Sequence, residues 1–186
     1  MYEKFGQFIN GKWQPSSNKD TYDVINPATE ELIGKASKAT PKDVDNALNS
    51  AKMGLEVWKN TRPWQRSDII RKIADKIRER QEVLAKWMTI EVGKPLAEGK
   101  AEVGASADIF EWNAEETKRI FGQTVESRFE DTRVQVIYQP VGVVAALIPW
   151  NFPIILAARK ISTALAAGCS VIVKPDVITP GIVMEM

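Results

Sequence analysis

Pro149-Trp150-Asn151-Phe152-Pro153 stands between two apolar runs, residues 141–148 and residues 154–167. The first run reads as a buried strand and the second as a helix, with the Pro-bracketed pentapeptide as the tight turn joining them. A third stretch, residues 170–173 (Ser-Val-Ile-Val), reads as another strand. Strand, helix and strand in that order predict a βαβ unit, the seed of a parallel sheet, so the fold class is α/β. Two parallel strands cannot bury both their faces, and the sheet looks unfinished. In open α/β sheets ligands bind beyond the carboxyl ends of the strands, which is where this turn would hold the Asn151 side chain.

Upstream, the pattern is of short strands and then helices. Asn10-Gly11 inside Phe8-Ile9-Asn10-Gly11-Lys12-Trp13 predicts a two-residue hairpin turn. Residues 22–25 and 32–36 suggest a second pair of strands around a turn at 26–30. Thr40, Pro41 and Asp43 predict a capped helix start, with Val44, Leu48, Ala51, Leu55 and Trp58 along one face. A second helix is expected from Trp64 to about Glu91, with Ile69, Ile70, Ile73, Ile77, Leu84, Trp87 and Met88 facing a core, ended by Gly93 and Pro95. A third spans residues 96–121, burying Val103, Ala107, Phe110, Ala114, Thr117 and Phe121. Residues 128–139 switch to period two, with Val134, Val136 and Tyr138 on one face, as a strand or hairpin arm.

The bulk properties exclude several classes. The chain has 186 residues, enough for one domain or one and part of another. Its 25 Lys and Arg balance 24 Asp and Glu, so no broad field favours nucleic acid or an anionic membrane. Arg159 and Lys160 interrupt the best apolar run, and Met1-Tyr-Glu-Lys4 lacks the apolar stretch of a signal peptide; a cytoplasmic location is expected. A single cysteine, Cys169, suits a reducing compartment. There is no histidine, which removes imidazole base catalysis and most transition-metal sites.

The string from Pro140-Val-Gly-Val-Val-Ala-Ala-Leu-Ile-Pro-Trp-Asn-Phe-Pro153 to Ala166-Ala-Gly-Cys-Ser-Val-Ile-Val-Lys-Pro175 resembles the aldehyde dehydrogenase superfamily. The likeness runs through Asn26-Pro27-Ala28-Thr29, Glu91-Val-Gly-Lys-Pro95 and Glu111-Trp-Asn-Ala-Glu-Glu-Thr-Lys-Arg119; the last of these and the Arg159-Lys160 pair look most like the succinate-semialdehyde dehydrogenase branch. The resemblance implies three segments: residues 1–121 as strands and helices of the NAD(P)-binding domain, 122–140 as an oligomerisation hairpin, and 141–186 as the first βαβ of the cofactor sheet. It implies a homo-oligomer, dimer or tetramer, with the nucleophilic cysteine and general-base glutamate supplied by a carboxy-terminal half not present in this sequence.

Site roles follow from the same resemblance. Asn151 is implied as the donor that holds the aldehyde oxygen while a thiolate converts the carbonyl into a thiohemiacetal, on the way to a thioester and the acid. The competing reading is an Asn serving only its turn. Lys174 is implied as a donor to ribose hydroxyls, with the backbone of Ile148, Pro149 and Trp150 lining the cofactor groove and Pro175, Asp176 and Val177 beside it. The family's NAD pattern places Glu where this chain has Val177, and an uncharged residue there tolerates a 2′-phosphate. Asp176 could restore the carboxylate, so NADP is favoured and NAD stays open. Arg159, eight residues after Asn151 and roughly 12 Å along a helix at about 1.5 Å per residue, could hold the far carboxylate of an ω-carboxy semialdehyde, or serve in an ion pair. Cys169 precedes a buried strand and reads as packing rather than as a nucleophile.

Three functions stay in play. One is an NAD(P)-dependent aldehyde dehydrogenase, with this chain inactive alone. Another is a non-catalytic nucleotide-binding or assembly module that pairs with another chain. The third is an unrelated binding domain.

Overall fold

The computed structural model describes Tyr2 and residues 6–186. The amino-terminal hairpin pairs β1 (Gln7–Ile9) with β2 (Lys12–Gln14), and Asn10 and Gly11 take φ of 52° and 74° as the two-residue turn requires. A second antiparallel pair, β3 (Thr21–Ile25) and β4 (Leu32–Ser37), closes around Asn26, whose carbonyl accepts from the Glu30 amide.

Helix α1 (Pro41–Trp58) starts on the expected capping box: Thr40 Oγ1 accepts from the Asp43 amide and Asp43 Oδ2 from the Thr40 amide. Asp43 also accepts from the Ser17 hydroxyl and amide; the hydroxyl does most to hold this carboxyl far below the usual carboxylate range. Leu48, Ala51, Leu55 and Trp58 are half-buried, and the Trp58 indole donates to the Leu165 carbonyl at 2.9 Å. Val44, expected on that face, lies in the first turn of α1 and is exposed.

The single helix expected over residues 64–91 is broken. Helix α2 (Pro63–Glu79) ends at Arg80, which leaves helical geometry at φ −102°, ψ 12°. Helix α3 (Gln81–Trp87) follows and runs into a π-helical turn, Met88–Val92, closed by Gly93 at φ 81°. Arg80 is turned towards the distant Glu185, donating to its carboxylate and its carbonyl. Ile70, Ile77, Leu84, Trp87 and Met88 are buried and Ile73 half-buried, but Ile69 is exposed. Ile69 lies about 100° around α2 from the buried Ile70, which puts it at the edge of the stripe that faces the core.

Helix α4 (Leu96–Thr117) buries Val103, Ala107, Phe110, Ala114 and Thr117 as expected. It stops four residues before Phe121, which the helical period therefore no longer carries inward and which is 71% exposed. The hairpin of β5 (Gln123–Glu126) and β6 (Arg133–Val136) is exposed at every position, and Tyr138 lies beyond the strand.

The βαβ unit is present: β7 (Val143–Leu147), α5 (Pro153–Ala166) and β8 (Ser170–Lys174). The strands run parallel, from Val143 opposite Ser170 to Leu147 opposite Lys174. Ala146 and Ile148 pack with Ala157 on one face, while Ala145 and Leu147 on the other are exposed. The short helix α6 (Pro180–Glu185) joins the main core, which lies among α2, α3, α4 and α5 with Val24 and Ala36 from the second strand pair. Inside it Glu91 is fully buried: Oε1 accepts from the Gly181 amide at 2.8 Å and from the Tyr2 hydroxyl, and Oε2 from the Ile182 amide at 2.7 Å.

Candidate functional site

The carboxyl ends of β7 and β8 are held together by the Ile148 amide, which donates to the Lys174 carbonyl at 3.0 Å. The chain then turns through 149–152 and enters α5 with Pro153 at the first helical position. Proline has no N–H to leave unsatisfied there. The capping position belongs to Phe152, whose side chain has no oxygen, and no side-chain cap bond forms. Asn151, one of the best capping residues, sits one position too early. It is exposed, and its amide makes no hydrogen bond among the described residues.

The missing cap comes from α4. Glu102 Oε1 accepts from the Ile155 amide at 3.3 Å, while Oε2 pairs with Lys94 Nζ at 2.5 Å. The same ammonium lies 3.5 Å from the centre of the Phe152 ring, a cation–π contact. Lys94, Glu98, Ala101, Glu102, Ala105, Phe152 and Ile155 line an open groove of about 310 Å³ directly beside the Asn151 turn. The sequence reading missed Lys94 and Glu102. The available signal was indirect: an uncapped helix start, and an acidic residue flanking the buried stripe of α4.

Arg159 lies one turn beyond Ile155 on the same side of α5, exposed and without an ion pair among the described residues. Lys160 folds back to donate to the Leu147 carbonyl at 2.5 Å. Lys174 is exposed at the end of β8, and its side chain has no partner among the described residues. In the following loop Pro175 and Asp176 are half-buried and Val177 is exposed. Asp176 Oδ1 accepts from the Ile178 amide at 3.0 Å, which ties this carboxylate to its own turn. Burial, and then the Asp176 charge, raise the Tyr22 phenol above its ordinary range. Asn151 and the groove thus lie at the start of α5, with Arg159 one turn beyond Ile155, and the 174–177 loop lies at the neighbouring strand end. Cys169 is 2% exposed, as a packing residue would be.

Residues 13–186 match the aldehyde dehydrogenase family. The chain belongs to that family. It is 43% identical over 173 residues to a glutarate-semialdehyde dehydrogenase of Pseudomonas putida, covering 93% of this chain and 36% of that protein. It is 42% identical over 172 residues to the succinate-semialdehyde dehydrogenase (NADP(+)) of Escherichia coli, with 92% and 36% coverage. Among solved structures, a double mutant of the Staphylococcus aureus betaine aldehyde dehydrogenase in complex with NAD+ superposes with a TM-score of 0.94 at 36% identity, covering 98% of this chain and 37% of that one. The reading as an unrelated binding domain is overturned. The chain thus spans little more than a third of the length of the relatives it matches. Among the described residues no helix is long and apolar enough to cross a membrane.

Proposed function

We propose that this chain forms part of an NAD(P)-dependent dehydrogenase of ω-carboxy semialdehydes, in which Asn151 stabilises the oxygen of the reacting aldehyde. The observation that carries this reading is the Asn151 amide, without a partner among the described residues, in the turn that follows a parallel strand, beside an open groove. An amide donor fixed where negative charge develops lowers the barrier without itself titrating. Arg159 continues the Phe152–Ile155 side of α5, about 6 Å past Ile155 at about 1.5 Å per residue. A guanidinium free of ion pairs suits the second carboxylate of a succinate- or glutarate-like semialdehyde, and the names of two relatives agree with that class.

The dinucleotide, when bound, accepts the hydride. The chain's own residues fit such a group. The backbone of Ile148, Pro149 and Trp150 and the exposed Lys174 ammonium lie at the strand ends, where open sheets take nucleotides. Val177 offers no charge against a 2′-phosphate, and Asp176 is occupied by the Ile178 amide, which supports NADP over NAD. The exposed β5–β6 hairpin, with Val125, Val134 and Val136 in the open, supports a role in joining subunits into a dimer or tetramer.

The exposed face that carries Ala145 and Leu147 favours a second reading, in which this chain is an assembly module completed by another polypeptide. One experiment addresses the catalytic reading: Asn151→Ala in the complete dehydrogenase, followed by NAD(P)H absorbance with succinate semialdehyde. Loss of an oxyanion donor is expected to lower kcat by roughly 10²–10³ with little change in KM. Unchanged turnover would remove Asn151 from the chemistry.

A further inference from the structure

We infer that Glu102 and Lys94 are positioning residues for Asn151, forming a bracket on α4 and the preceding loop that holds the start of α5, and with it the turn that carries Asn151, in place. The inference rests on the reading of Asn151 as the oxyanion donor. Its physical basis is competition for the start of α5. An α-helix leaves its first amides without internal partners. In α5 one of these is absent, because Pro153 has no N–H, and Phe152 offers no side-chain acceptor. The Ile155 amide therefore needs an oxygen from elsewhere, and Asn151 is the nearest polar side chain in sequence. A slip of the turn by one residue would make Asn151 the cap, with its side chain accepting from the Ile154 amide and its carbonyl from the Ile155 amide, and would commit that side chain to the helix end.

Glu102 removes that competition by accepting from the Ile155 amide itself. Lys94 neutralises Glu102 and lies against the Phe152 ring, fixing the residue next to Asn151. The pair is well shielded, with side chains 15% and 4% exposed, so neither partner is free to swing to solvent. A polar tertiary cap on a neighbouring helix thus leaves a strong capping residue uncommitted one position outside the helix it would otherwise cap.

The test is amide hydrogen exchange and side-chain NMR on the ¹⁵N-labelled chain. In Glu102→Ala the Ile155 amide should exchange roughly tenfold faster, the size of effect expected for a lost cap, while Val103, Phe110 and Ala114 stay within about twofold. The Asn151 side-chain NH₂ resonances should shift, because the first turn of α5 beside it is no longer held against α4. Glu102→Gln keeps a carbonyl acceptor and should restore Ile155 protection to within about threefold of the parent. Lys94→Met retains the cap and should move the Phe152 and Asn151 signals without exposing Ile155. A uniform rise in exchange along α4 and α5 would make Glu102 merely structural and overturn the inference. Unmoved Asn151 signals in both Glu102→Ala and Lys94→Met would do the same. None of these readouts involves turnover. An inert Asn151→Ala in the complete enzyme would sink the oxyanion reading and leave the bracket measurable on its own.

Discussion

Stability of this chain should fall as pH rises between about 5 and 7, and Glu91 is the reason. Its carboxyl is fully buried between the π-helical turn and α6, and burial pushes it up from 4.5 to about 7, while the Ile182 and Gly181 amides pull the other way. A group raised in the folded state stabilises the fold fully below its unfolded value, and loses that contribution as pH climbs through its folded value. The gap from 4.5 to about 7 corresponds to about 3 kcal/mol at about 1.4 kcal/mol per pH unit. The chain has no histidine, so no other side chain with an ordinary titration lies between pH 5 and 7. Asp43 acts with the opposite sign and at lower pH, because its depressed carboxyl adds stability that is lost only on strong acidification. Urea unfolding at pH 5, 6, 7 and 8 of the parent and of Glu91→Gln isolates the effect. Two different oxygens of Glu91 accept from Gly181 and Ile182, so Gln sets its NH₂ against one of those amides and should cost about 1–3 kcal/mol at pH 5. That cost should shrink, and then change sign, as the parent carboxylate ionises towards pH 8. A gap between the two proteins constant to within about 0.5 kcal/mol from pH 5 to 8 would refute the argument, showing that the three donors keep Glu91 in one protonation state throughout.

Three further outcomes follow from the site. Arg159→Ala in the complete dehydrogenase should raise KM for succinate semialdehyde at least tenfold more than for a neutral aldehyde of similar length, about the worth of one charge-assisted pair; equal losses on both would make Arg159 structural. Val177→Glu should lower the NADP-to-NAD ratio of kcat/KM, by supplying a ribose acceptor and opposing a 2′-phosphate; a ratio that holds or rises would place cofactor choice elsewhere. The 186-residue chain alone should form no NAD(P)H with any aldehyde, because its one thiol, Cys169, is buried. Turnover abolished by Cys169→Ser would put the nucleophile inside this chain.

Local rules explain which parts were legible in the sequence. The Asn10-Gly11 hairpin and the Thr40 capping box depend on residues a few positions apart, and the two strands and helix of the βαβ unit each carry their own local apolar pattern; all form where expected. The break at Arg80 has no glycine or proline to announce it. It accompanies bonds to Glu185, 105 positions away, which no local pattern carries. Phe121 was misread because the apolar period ran on past Thr117, where the helix had already ended.

The site divides along the same line. Asn151 stands out in the sequence through its place after a strand and the family resemblance of the stretch around it; its local setting alone reads as a turn Asn between two prolines. Lys94 and Glu102 do not, because their meaning appears only when α4 crosses the start of α5, 53 positions from Glu102 to Ile155. Yet the need for them was written in the pentapeptide. A helix that opens with Phe and then Pro, and holds its best cap one residue outside, has no local side-chain acceptor for its first amides, and here takes one from α4. The free Asn151 amide and the buried Glu102 carboxylate are therefore two sides of one constraint, and changing either should be felt at the other.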